Sequence, residues 1–105
     1  MSYKQEFPNY DGKFYIPKGF VDASWHNDVC PRAQMERMIP SYAGEPEVEV
    51  RFVLWQDYAD PSKREYEFGK RYVFAIEVNT DVVFEYCSDD IDIILRLIKD
   101  CVKGD

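Results

Sequence analysis

The chain reads as an α+β domain, an antiparallel sheet of three to four strands packed against a C-terminal amphipathic helix. Three observations predict this. Val48, Val50, Phe52 and Leu54 alternate with Glu49, Arg51, Val53 and Trp55, the period of a strand with one apolar face. A second alternating run near 71–78 places Tyr72, Phe74, Ile76 and Val78 on one face, and a third follows at 82–87 across only Asn79-Thr80-Asp81, which favours an antiparallel hairpin. Ile91, Ile94, Leu95, Ile98, Cys101 and Val102 then recur at three- and four-residue steps as one apolar stripe. A sheet and one such helix make two layers around a single core.

Taken in order, residues 1–19 form an irregular, aromatic-rich arm. Pro8, Gly12, Pro17 and Gly19 punctuate it, Asn9-Tyr10-Asp11-Gly12 reads as a turn, and Phe7, Tyr10, Phe14, Tyr15 and Ile16 give it a surface to pack on the 20–105 core. Residues 20–25 read as a short strand, and 26–31 as a loop, because Asn27, Asp28 and Pro31 resist regular structure. The run Arg32 to Ile39 has helical propensity but is short, so a brief helix and an edge strand both fit it. A breaker cluster spans 41–46, and a polar loop spans 57–70. Ser88 reads as the N-cap of the last helix, with Asp89, Asp90 and Asp92 at the positive end of its dipole and Gly104 as its stop.

Length and composition set the class. With 105 residues there is room for one domain, 1–105. A chain that is 46% hydrophobic and 16% aromatic can offset its ordering entropy without disulfides or a metal. The net charge of −7 is uneven: residues 1–44 carry five acids and five bases, whereas 45–105 carry fifteen acids and eight bases. That half would repel a phosphate backbone, and no basic stripe compensates, so a nucleic-acid partner is not expected. A basic protein surface would be attracted to it. No apolar run is long enough to span a membrane, and the Met-Ser-Tyr-Lys-Gln-Glu start lacks the apolar stretch of a signal peptide. Cys30, Cys87 and Cys101 are odd in number and form no CxxC pair, which fits reduced thiols in a cytoplasmic protein.

Few residues invite chemistry. His26 stands four residues before Cys30, and Asp28 between them can orient an imidazole, the minimum a thiol nucleophile needs. The structural alternative is a capped turn in which Asn27 and Asp28 bond local backbone and Cys30 packs as a small apolar group. His26, Asp28 and Cys30 fall short of the four ligands of a structural zinc, so no metal or cofactor is expected. The carboxylates at 57–67 and 89–92 lie on loops and at a helix start, where acids serve solubility and capping. Phosphate loops, a serine nucleophile elbow and Walker-type motifs are absent. Trp55 and Tyr58 are of the residue types most enriched at protein interfaces.

Ser24-Trp25-His26-Asn27-Asp28 and Cys30-Pro31, then Trp55, Asp57-Tyr58, Asp60-Pro61, Arg64-Glu65, Arg71-Tyr72 and Asp89-Asp90, resemble segments of a group of small uncharacterised proteins found in bacteriophages and bacterial genomes. The resemblance covers roughly residues 20–100. It implies a phage or mobile-element setting, in which small acidic proteins often act as stoichiometric inhibitors of host defence, as anti-CRISPR proteins do.

Together these readings lead to the expectation of a non-enzymatic, acidic binding module in the cytoplasm of a host bacterium. Its partner would be a host protein with a basic surface, such as a CRISPR nuclease. Glu45, Glu47, Glu49, Asp57, Asp60, Glu65 and Glu67 would present carboxylates, and Trp55 and Tyr58 would serve as anchors. The alternatives are a thiol enzyme using Cys30 and His26, and a structural or assembly protein of a phage particle.

Overall fold

The computed structural model of the chain describes residues 2–39, 47–64 and 69–102. Strands β1 (Val21–Asp22), β2 (Arg32–Ile39), β3 (Val48–Gln56), β4 (Tyr72–Val78) and β5 (Asp81–Ser88) form one five-stranded sheet in sequential order. Each strand runs antiparallel to its neighbour. The sheet thus has five strands, not three to four. A short helix α1 (Tyr3–Glu6) opens the chain, a 3-10 turn η1 (Pro61–Lys63) interrupts the loop after β3, and helix α2 (Ile91–Val102) closes it.

The additional strands come from 21–22 and 32–39. Of the stretch 20–25, Val21 and Asp22 form the strand, and the Ala23 N–H also donates to the Arg32 carbonyl at 3.0 Å. Residues 32–39 become a strand in full register with β3, from Arg32 opposite Trp55 to Ile39 opposite Val48. An eight-residue helix is marginal by itself, whereas a strand beside β3 gains a whole ladder and buries Ala33 completely.

Alternation divides the sheet into two faces. Val50, Phe52 and Leu54 of β3 and Tyr72 and Phe74 of β4 point into the core with Ala33, and Ile94 and Ile98 of α2 close it from above. Those two residues are 0% and 4% exposed, so the predicted helical stripe is the packed one. Full burial of such side chains contributes about 1.5–3 kcal/mol each. The cap differs from expectation. Ser88 ends β5, and the Asp90 carboxylate accepts from the Asp92 N–H at 3.0 Å, which makes Asp90 the N-cap. Gly104, the expected stop, lies outside the described residues.

The arm docks on the same face as α2. Tyr3 and Phe14 stack with centroids 4.5 Å apart, and Phe7 and Phe14 are buried. Its anchor is Gln56, fully buried at the end of β3, whose side chain accepts from the Tyr15 N–H at 2.7 Å and donates to the Tyr15 carbonyl at 2.6 Å. The β4–β5 hairpin turns on Asn79 and Thr80, with φ of 48° and 75°, a two-residue connection with both central residues left-handed.

Candidate protein-binding face

The other face of the sheet carries its charge. Three cross-strand rows cover it. Glu36, Arg51 and Glu77 lie side by side; so do Gln34, Val53, Ala75 and Glu85; so do Arg32, Trp55, Val73 and Cys87. Arg51 is the hub of the first row. Its guanidinium lies 3.4 Å from Glu36, 3.0 Å from Glu49 and 3.2 Å from Glu77. Three carboxylates against one guanidinium leave this patch with an excess of negative charge. Each pair is partly exposed and contributes little stability alone, about 0.2–1 kcal/mol. Their shared effect is to hold three carboxylates in a fixed array.

The third row is less polar. The Arg32 guanidinium sits 5.1 Å from the centroid of the Trp55 ring, and Trp55 is half-buried. Val53, Val73 and Ala75 beside it are 2% exposed or less. The face therefore grades from a carboxylate array at the Glu49 end to an aromatic platform at the Trp55 end.

The structure separates the residues that the sequence grouped as one partner-binding surface. Glu49 and Trp55 do share this face, and Glu47 is exposed just ahead of β3. Tyr58 and Asp60 lie beyond the end of β3, in the loop region. Tyr58 packs on Tyr10 with centroids 5.4 Å apart, and Asp60 caps η1 by accepting from the Ser62 N–H at 3.0 Å. Asp57, expected among the presented carboxylates, is instead buried at 1% exposure: its carboxylate accepts from the Tyr58 N–H at 2.8 Å, and its carbonyl accepts from the Tyr10 hydroxyl and the Arg71 guanidinium. Glu45, Glu65 and Glu67 lie outside the described residues. Sequence reading missed Glu36, Arg51, Glu77 and Glu85. A parity count along 71–78 places Glu77 opposite to the apolar set, but only the strand register places it beside Arg51.

At the loop end, Asn9, His26, Asp28, Tyr58, Ser62 and Lys63 help line an open polar cleft of about 800 Å³. His26 is held by Glu6, whose carboxylate lies 3.0 Å from Nδ1, and this hydrogen bond lowers the Glu6 carboxyl below its ordinary value. Cys30 is apart from this pair in character: it is 0% exposed, and burial, with the Asp57 carboxylate nearby, pushes its thiol far up. That environment opposes the thiolate a nucleophilic cysteine needs. Among the described residues no group of three or more His, Cys, Asp and Glu is placed to hold a metal ion. A second concavity, about 610 Å³ and mainly apolar, runs between Pro17, Arg37 and the Leu95–Val102 flank of α2. Among the described residues no helix is long and apolar enough to cross a membrane.

Comparison with protein-family models, curated proteins and solved structures returns no match.

Proposed function

We propose that the chain is a non-enzymatic binding module whose charged sheet face takes a basic surface of another protein. The observation that supports this reading is the array of Glu36, Glu49 and Glu77 around one Arg51. A partner arginine or lysine entering the array meets carboxylates that are already oriented, so little ordering entropy is lost on binding. Surplus negative charge on the face steers a basic partner and raises the association rate. Trp55, stacked under Arg32, supplies the apolar anchor. In the phage setting that the resemblance implies, the partner is a host defence protein such as a CRISPR nuclease, met in the bacterial cytoplasm.

The test uses tagged full-length chain against a panel of purified CRISPR nucleases, read by surface plasmon resonance at low and at moderate salt. Binding to one panel member, weakened by salt, and weakened about tenfold or more by Glu49→Lys with Glu77→Lys, is the expected result. Trp55→Ala should raise the dissociation rate. Failure to bind any member, or binding that ignores the paired charge reversal, overturns this face as the site.

A further inference from the structure

We propose that the apolar groove between the arm, β2 and α2 binds the hydrocarbon chain of an aliphatic carboxylate, whose head group is held at the mouth by Lys18 and Lys99. The groove lies on the opposite side of the sheet from the Arg51 array, because Arg37 pairs with Val50, and Val50 points into the core that α2 covers. Leu95, Ile98, Lys99 and Val102 recur at the three- and four-residue steps of one helix flank and line the groove together. Ile98 is 4% exposed and forms the floor, whereas Leu95 and Val102 are half-buried and leave apolar surface open.

The other two walls are fixed by their own contacts. In the turn Pro17–Phe20 the Phe20 N–H donates to the Pro17 carbonyl at 2.9 Å and Gly19 takes a φ of 87°, the type II pattern that sets Lys18 at the corner. A Cβ on Gly19 would stand 2.9 Å from the Met35 sulfur, so this turn lies directly against β2. On β2 itself, the Arg37 guanidinium donates to the Val102 carbonyl at 3.3 Å and lies 5.8 Å from the centroid of the Phe52 ring. Walls held in this way lose little further freedom when a small molecule enters.

Charge and polarity select the occupant. The charged residues of the groove are Lys18, Arg37 and Lys99, and among the described residues no acid lines it, although the chain as a whole carries −7. The helix dipole accounts for Lys99 in the last turn of α2 but not for Lys18, which comes from the arm. Among the described residues neither lysine has a carboxylate within ion-pair distance. Lysine stems lie along apolar surface and keep their ammonium groups in water at its rim, where a carboxylate accepts charge-assisted hydrogen bonds. A peptide would carry N–H and C=O groups into a mainly apolar groove, and each one buried without a partner opposes binding. A hydrocarbon chain carries none. The volume of about 610 Å³ falls in the range of small-molecule sites.

The experiment is isothermal titration calorimetry of the full chain with decanoate, dodecanoate and tetradecanoate, each below its micelle concentration. A single site is expected, tightening about fourfold for each methylene that enters the groove. Lys18→Glu with Lys99→Glu should weaken dodecanoate by about tenfold or more, leave 1-decanol unchanged and leave circular dichroism unchanged, since both side chains are exposed. Leu95→Gln should weaken the acid and the alcohol alike. Absence of saturable dodecanoate binding up to about 1 mM overturns the proposal. So does equal binding of dodecyltrimethylammonium, or dodecanoate binding that the paired charge reversal leaves unchanged. Binding to phosphatidylglycerol vesicles with no response to dodecanoate also overturns it, and assigns the two lysines to a membrane surface instead. Glu49→Lys with Glu77→Lys should leave dodecanoate binding intact, so loss of protein-partner binding and loss of this site are read separately.

Discussion

Gln56 and Tyr15 exchange two hydrogen bonds, a 2.7 Å contact into Gln56 Oε1 and a 2.6 Å contact from Gln56 Nε2, between the end of β3 and the backbone of the arm. One buried amide thus imitates the pairing of an adjacent strand. It satisfies a backbone donor and a backbone acceptor that the arm would otherwise bury unpaired. Replacing Gln56 with Leu keeps much of the volume and removes both bonds. The expected loss is about 2–4 kcal/mol, since two buried backbone groups each lose a partner. Urea unfolding of the variant checks it; a midpoint unchanged from wild type would show that the arm does not depend on this bond pair.

Cysteine reactivity should run against a thiol-enzyme mechanism. Burial and nearby Asp57 raise the Cys30 thiol, while Cys87 and Cys101 are half-buried. In the native protein, Cys87 and Cys101 should react with iodoacetamide first, and Cys30 only at the rate of unfolding. Peptide mass spectrometry of a time course reads the order. Fast modification of Cys30 at mildly acidic pH would reverse this conclusion and return His26 and Cys30 to consideration.

The arm should let go in acid. Hydrogen bonding by His26 lowers the Glu6 carboxyl from its ordinary 4.5. For Asp11, partial burial pushes upward, but the Ala59 and Asp60 N–H donors outweigh it and leave the carboxyl below its ordinary 3.8. The Arg71 N–H lowers Asp89 in the same direction. Groups with depressed folded values stabilise the protein above their ordinary pKa and lose that contribution as pH falls through the folded one. Trp25, beside His26, should therefore report a fluorescence transition below about pH 4. Asp11→Asn should make that transition smaller, because a neutral amide has no titration to lose.

Thr80 is the one β-branched residue in the left-handed region among the described residues, at φ 75°. Glycine adopts this conformation freely, and Asn-Gly is the preferred pair for such a turn. Thr80→Gly is expected to stabilise by about 0.5–1 kcal/mol and to raise Tm by roughly 2–6 °C. Asn79→Ala should act oppositely, because the Asn79 side chain accepts from the Glu49 N–H at 3.1 Å. Differential scanning calorimetry of both variants decides the point.

Local periodicity is enough to place β3, the β4–β5 hairpin and α2, because their apolar residues repeat at periods of two and of about 3.6, and a period needs no knowledge of distant residues. It also determined that Glu49 and Trp55 stand on one face, since both fall on the odd positions of β3. Tertiary structure alone decided the rest. Residues 32–39 have helical propensity, and only the ladder offered by β3 turns them into a strand. Asp57 reads as a loop carboxylate, and only the convergence of Tyr10 and Arg71 on its backbone places it inside. Glu36 and Glu77 lie 15 and 26 residues from Arg51. What joins them to it is strand register, a cooperative outcome of many weak pairings that no single segment encodes.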